Sequence, residues 1–303
     1  MKSVYFEEKI TNRGYPRAPY AETSFDDYYY TKRIDNNMYL NGKISKNWSV
    51  NSLVAYNYYN RIKKTVYKDL TTLDETLSLN SSDQDTSRFT LLMSRASFVH
   101  KTDSSKLNYE IGYDVNYESA LGKRIDNQLQ YQGDYAAFAT VEYKPINKLI
   151  LKPGVRYAYN TIYKTPIIPS FNLKWMLNDE HTIRASYARG FRAPSLKQMY
   201  FLFVDINHNI VGNMNLRSEQ SDNYSLSYNY KRTIKNCRFK LDVNTFYNDI
   251  YNLITLAQTT ATEYSYINIG KYKTLGIQLN NTLRFKKLSF QTGFNYTGRY
   301  NDL

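Results

Sequence analysis

The sequence predicts an all-β chain, a segment of an antiparallel transmembrane β-barrel, on three observations. Alternating apolar and polar residues run for about ten positions at a time, longer than the usual soluble strand and enough for a tilted strand to cross a bilayer. Connections between the runs are short and long by turns, as in outer-membrane barrels with tight turns on one side and long loops on the other. Tyrosine occurs 32 times in 303 residues and aromatic residues reach 16%. Such a load suits water–lipid interfaces, where a ring with an apolar body and a polar tip is well placed.

From Asn36 onward the segments follow in order. Met38, Leu40, Gly42 and Ile44 turn through Ser45-Lys46-Asn47 into Trp48, Val50, Ser52, Val54, Tyr56 and Tyr58. After a long polar segment, a strand near Arg88 to Val99 turns into Leu107, Tyr109, Ile111, Tyr113 and Val115. The residues between these last five are Asn108, Glu110, Gly112, Asp114 and Asn116, so the apolar set is expected to face lipid and the polar set the lumen. Tyr135 to Tyr143 and Leu149 to Tyr159 turn at Lys144-Pro145-Ile146-Asn147, and Pro166 to Leu177 turns at Asn178-Asp179-Glu180 into Ile183, Ala185 and Tyr187. Asn223 to Lys231 leads into Phe239, Leu241, Val243, Thr245 and Tyr247. Leu275 to Phe285 turns at Lys286-Lys287 into Leu288, Phe290, Thr292, Phe294 and Tyr296. The count is about 12 strands.

With the short turns toward the periplasm, the first clear strand descends and the last one rises, which puts both chain ends at the external rim. A complete barrel is expected to begin and end at the periplasmic side. Residues 1–303 therefore read as a single partial barrel domain, truncated at both ends, whose open sheet would leave two unpaired edges in lipid.

Composition bounds the alternatives. No apolar run approaches the roughly 18 to 20 residues of a membrane-spanning helix. Glu7, Glu8 and Lys9 interrupt the start before the apolar core of a signal peptide forms. Cys237 is the only cysteine, which excludes an intramolecular disulfide and a cysteine-built metal site. Forty Lys and Arg against 27 Asp and Glu give a net charge of +13, which points to anionic partners. The basic residues are scattered and carry no nucleic-acid signature, so no nucleic acid is expected. Phosphate loops, HExxH and nucleophile elbows are absent, and no enzymatic activity is expected.

The longest connection, residues 191–221, joins two half-buried strands through about 30 residues, a length that marks a functional loop. It carries Phe191, Arg192, Ala193 and Pro194 near its start, and His208 among Asn207 and Asn209. Tyr28, Tyr29 and Tyr30 follow Asp26-Asp27 in a stretch read as an N-terminal external loop, a candidate ligand contact or a group at headgroup level.

The stretch Tyr187-Ala188-Arg189-Gly190-Phe191-Arg192-Ala193-Pro194-Ser195-Leu196, followed by Gly212-Asn213-Met214-Asn215-Leu216-Arg217-Ser218-Glu219, resembles the paired FRAP and NPNL boxes of TonB-dependent outer-membrane receptors. The likeness covers about 40 residues and departs at Met214 and Ser218, where the family pattern has proline. It implies a barrel of about 22 strands closed by an N-terminal plug; the plug and the coupling box ahead of it are absent from this chain. It implies a receptor that binds haem, a ferric siderophore or a cobalamin at its outer loops and imports it with energy from the TonB complex. Its surroundings would be outer-membrane lipid and lipopolysaccharide. A passive porin and a soluble β-rich binding protein are the competing readings. No resident cofactor is implied, haem entering only as cargo. Haem receptors of this family carry a histidine between the boxes, so His208 is the candidate haem-iron ligand, against the plainer reading of a hydrogen-bonding loop histidine. The box residues Phe191, Arg192, Ala193, Pro194, Asn213, Asn215, Leu216 and Glu219 read as structural. Arg192 would bridge loop and wall, and Pro194 would fix where the strand stops.

Overall fold

The computed structural model describes residues 1–80, 83–102, 104–204 and 209–302. They form one sheet of 16 strands, antiparallel along its whole wall. Its wall comprises β1 (Lys2–Asn12), β2 (Thr23–Lys43), β3 (Trp48–Asp69), β5 (Asp85–His100), β6 (Leu107–Leu121), β7 (Leu129–Ile146), β8 (Leu149–Asn160), β9 (Ile168–Met176), β10 (His181–Arg192), β13 (Glu219–Ile234), β14 (Cys237–Gln258), β15 (Tyr264–Phe285) and β16 (Leu288–Asp302). Three short strands belong to the connections: β4 (Glu75–Leu77), β11 (Leu202–Val204) and β12 (Asn209–Val211). Each wall strand pairs with its sequence neighbours, and no pairing joins β1 to β16 among the described residues.

Thirteen wall strands stand where the alternation predicts about 12. The added one is β1, which pairs from Lys2↔Asn37 to Asn12↔Asp27. It reverses the expectation that both ends lie at the long-loop rim, because β1 starts level with the lower half of β2 while β16 ends beside Lys271 at the long-loop end. The expected N-terminal loop is also corrected. Residues 28–30 belong to β2, whose 21 residues carry the sheet well past the length that spans a bilayer.

The two faces follow the strand period. Along β6, Leu107, Ile111 and Tyr113 are exposed, while Asn108 and Asp114 are buried. Asp114 takes Arg95 of β5 and Arg156 of β8 on the concave side, and Arg156 also reaches Asp134 at 3.7 Å. A buried carboxylate persists only with such partners. On the outer face, aromatic rings gather at two levels. Near the short turns, His100 stacks on Tyr109 at 4.9 Å with Trp48 at 5.1 Å, and His181 lies 4.7 Å from Tyr230. Higher up, Tyr187, Tyr224 and Tyr247 form a row with centroids 5.1 and 6.2 Å apart. These are the girdles expected of a membrane barrel. Pro145 sits where the β7–β8 register shifts between Tyr143 and Ile146, as a residue without an N–H requires in a paired strand.

Candidate ligand-binding site

The connection from β10 to β13 folds inward over the concave face. Pro194, fully buried, ends β10, and Ser195 opens α1 (Leu196–Tyr200) with a capping box. The Ser195 hydroxyl accepts from the Gln198 amide at 3.3 Å, and the Gln198 side-chain oxygen accepts from the Ser195 amide at 3.0 Å. Leu196 and Met199 pack with Ala120 and Ile125 in a small apolar core, flanked by Tyr163, Tyr200 and Phe201. A second loop joins it: Asp126 N donates to Tyr200 O at 2.9 Å and Leu202 N to Arg124 O at 2.8 Å. The connection is thus folded by backbone pairing and burial.

The box residues hold this fold in place. Arg192 Nε and Nη2 donate to the two carboxylate oxygens of Glu219 at 2.5 and 2.6 Å, and Nη1 donates to Gln198 Oε1 at 3.0 Å. Glu219 Oε1 also accepts from Ile254 N at 2.7 Å. Asn213 donates to Tyr266 O and accepts from the Asn215 amide, each at 2.9 Å. Leu216 is buried, and its carbonyl accepts from the Tyr163 hydroxyl at 3.0 Å. Gly212 permits close approach, since a Cβ there would stand 2.6 Å from Met199 O and 2.8 Å from Phe201 N. Phe191 follows the outward parity of Tyr187, and Ala193 continues the chain into buried Pro194. His208, the candidate iron ligand, lies outside the described residues.

Beneath the folded connection lies a cavity of about 690 Å³. Strands β2 and β3 supply Tyr29, Tyr59, Arg61 and Lys63; the two loops supply Arg124 and Lys197. Arg61 stacks on Tyr29 at 4.6 Å, and Arg124 on Phe203 at 4.8 Å. Asp85 lies 3.7 Å from Arg124, and Asp27 lies 3.4 Å from Lys63. Among the described residues, no carboxylate lies within 4.0 Å of Arg61 or Lys197. Four cations set among aromatic rings can take an anionic, flat ligand through ion pairing and stacking together. A neighbouring cavity of about 480 Å³ shares Tyr59, Phe89 and Lys197.

Strand alternation divides the tyrosine triad. Tyr29 lines the cavity, whereas Tyr28 and Tyr30 point to the outer face, where Lys9 lies 4.8 Å from one ring and 5.6 Å from the other. Arg61, Lys63, Arg124 and Lys197 carry no local sequence signal. They converge only through the pairing of distant strands and loops.

Known proteins place the chain. Residues 3–302 match the family model described as TonB dependent receptor-like, beta-barrel. Heme/hemopexin utilization protein C of Haemophilus influenzae is 29% identical over 187 residues, 51% of this chain and 26% of that protein. The vitamin B12 transporter BtuB of Vibrio cholerae is 30% identical over 117 residues, 39% of this chain and 18% of that protein. The matched segments thus span about a quarter or less of these curated relatives. Among solved structures, the siderophore receptor PirA of Pseudomonas aeruginosa has the same fold, with a TM-score of 0.64 at 16% identity over 98% of this chain and 62% of that one. The Serratia marcescens hemophore receptor HasR, solved with its hemophore and heme, gives 0.57 at 11% identity over 92% and 54%. With a family model matched along nearly its whole length and a sheet that superposes on these barrels, the chain belongs to the β-barrel family of TonB-dependent outer-membrane receptors.

Proposed function

We propose that this chain is the barrel portion of an outer-membrane receptor that binds a scarce anionic ligand at its long-loop end and imports it with energy from the TonB complex. The cavity under the loop carries the reading: Arg61, Lys63, Arg124 and Lys197 outnumber the lining acid Asp85, and aromatic rings stand between them. Its size falls in the range of small-molecule sites. The cations favour ligands with exposed carboxylates or other anionic groups over neutral ones. Haem, with two propionates and a flat ring, is the first candidate, and the heme-utilization relatives support it. His208 would then be the axial iron ligand, and a ferric siderophore is the alternative cargo. The protein acts as a carrier, with no chemical turnover of the ligand.

The test is a haem titration of the complete receptor beside Arg61→Ala and His208→Ala. Arg61→Ala should weaken binding about tenfold or more, as expected for a stacked cation meeting a carboxylate. His208→Ala should remove the Soret perturbation. Unchanged affinity in Arg61→Ala would overturn the cavity assignment, and an unchanged spectrum in His208→Ala would remove the iron-ligand role.

A further inference from the structure

The concave wall changes character from one part of the sheet to the next. On β5 to β8 its charges neutralise one another, Asp114 with Arg95 and Arg156, and Arg156 with Asp134. Low on β8, β9 and β10 they do not. Lys152, Lys174 and Arg184 follow the inward parity of Arg156 on three successive strands. Lys174 and Arg184 are register partners, directly opposite each other a few residues from the Asn178-Asp179-Glu180 turn. Like charges so placed destabilise a sheet unless an anion comes between them.

Among the described residues, no carboxylate lies within 4.0 Å of Lys174 or Arg184. Arg184 donates instead to the neutral side chain of Asn229. The two acids on this part of the wall each have a lysine of their own: Glu142 lies 3.1 Å from Lys144, and Asp242 lies 2.5 Å from Lys240. Glu142 also feels the charge of Lys152, so Lys152 is partly offset and the excess sits on the cross-strand pair.

The surroundings leave room for a ligand. A cavity of about 370 Å³ opens over the pair, walled by Glu142, Lys152, Asn172, Lys174, Arg184 and Ser227. Ser186 and Ser225 form its floor, hydrogen-bonded to each other at 2.6 Å. The space exceeds a lone carboxylate or phosphate and falls in the range of small-molecule sites. The Arg184 fork can receive one carboxylate at two points, while the two ammonium groups take others as point charges. Strand spacing puts the three α-carbons within about 12 Å of one another, the reach of one small polyacid.

We infer that Lys152, Lys174 and Arg184 form an anion site low on the concave wall, apart from the cavity under the long connection, that takes a small molecule bearing two or more carboxylates. Two cavities at different heights of one lumen, each with excess positive charge, give an anionic ligand a second resting place nearer the short turns. The inference rests on the charges of this wall and not on which ligand the upper cavity takes.

The probe is tricarballylate, a tricarboxylate, offered to the full chain in detergent micelles. The readout is the acetylation rate of each lysine, resolved by peptide mass spectrometry. Millimolar tricarballylate should slow acetylation of Lys152 and Lys174 about fivefold, the mark of four-fifths occupancy. Lys240, already held by Asp242, should not move. The corresponding triamide should protect none of them. Arg184→Gln should raise the concentration for half-protection of Lys174 about tenfold, as the loss of a charge-assisted two-point contact requires. Arg184→Lys should recover only part of it. Lys63 and Lys197 report the upper cavity in the same spectra, so either site can fail alone. Unslowed acetylation of Lys174, or equal protection by the triamide, would overturn the inference. So would undiminished protection in an Arg184→Gln variant that keeps heat-modifiable migration. A Lys174 that resists acetylation before any anion is added would overturn it as well, because polypeptide would then cover the cluster.

Discussion

Arg192 and Glu219 are register partners at the facing ends of β10 and β13, and the carboxylate of Glu219 reaches past this pair to the backbone of β14 through Ile254 N. One residue pair thus ties the start and the end of the long connection to a third strand, while Gln198 of α1 hangs from the same guanidinium.

Arg192→Lys is therefore expected to loosen the connection while leaving the barrel folded, because an ammonium cannot make the two-point contact. A loss of about 1–2 kcal/mol of local stability is expected, since the charge is kept at this half-exposed site while the second Glu219 bond and the Gln198 bond are given up. Limited proteolysis should show faster cleavage within residues 193–218, with the thermal transition of the sheet unmoved. Equal cleavage rates would show that burial of Pro194, Leu196 and Met199 holds the loop without the pair.

Gly212→Ala should have a similar consequence by a different route. The new methyl meets the Met199 carbonyl and the Phe201 amide, both backbone, so the strain cannot be relieved by a rotamer change. Overpacking of this kind costs about 1–3 kcal/mol. The expected readout is faster hydrogen exchange at Phe201 and Gly212, whose amide donates to Phe201 O at 2.7 Å; unaltered exchange would mean that α1 shifts to accommodate the methyl.

Tyr29→Ala should weaken ligand binding by about 1–2 kcal/mol through loss of the ring under Arg61, whereas Tyr28→Ala and Tyr30→Ala should leave it unchanged. Isothermal titration of the three variants separates them. A uniform loss would contradict the division of the triad between faces.

A charge at mid-band tests the assignment of faces. Val115 lies on the outer face midway between the Trp48 and Tyr58 levels, and Asn116 beside it faces inward. Val115→Lys should cost about 2–4 kcal/mol of folding stability in bilayers and Asn116→Lys little. The reverse order, measured by urea unfolding from vesicles, would invert the parity.

Tyr28 and Glu75 meet above the apolar band, 2.7 Å apart, with Lys68 2.9 Å from the same carboxylate oxygen. Lys68 first, then Tyr28, holds the Glu75 carboxyl below its ordinary range, so this tether of β4 is present at neutral pH and is lost as pH falls through the lowered value. The hydrogen bond to Glu75 pushes the Tyr28 phenol up to about 12, so the contact is lost on the alkaline side only as pH rises through that value. Alkaline difference absorbance of Glu75→Gln against wild type should show the late-ionising fraction fall by one tyrosine, as Tyr28 returns toward the ordinary range.

Much of this was legible in the sequence because a strand with one face in lipid must alternate. The parity of β6 and the short turns follow from that rule. β1 escaped it: Lys2 and Glu8 share a face with Val4, Phe6 and Ile10, and Tyr5 shares the other with Glu7 and Lys9, so charged and apolar residues fall on both faces and no single-faced pattern emerges. The interior of the long connection was half legible. Ser195 and Gln198 have the spacing of a capping box, yet five residues of helix form only because Leu196 and Met199 find Ala120 and Ile125. The cavity was illegible, since Tyr29, Arg61, Arg124 and Lys197 are separated by dozens of positions and share no spacing rule.

The anchors of the long connection share a property with an evolutionary consequence. Asn213 takes the carbonyl of Tyr266 and Glu219 the amide of Ile254, so these two motif side chains grip the main chain of the wall strands beneath them. Main-chain groups survive nearly every substitution at the residue that bears them. Strands β14 and β15 are thereby free to drift in sequence beneath the connection, and the two short boxes can persist as islands in a barrel whose remaining letters turn over.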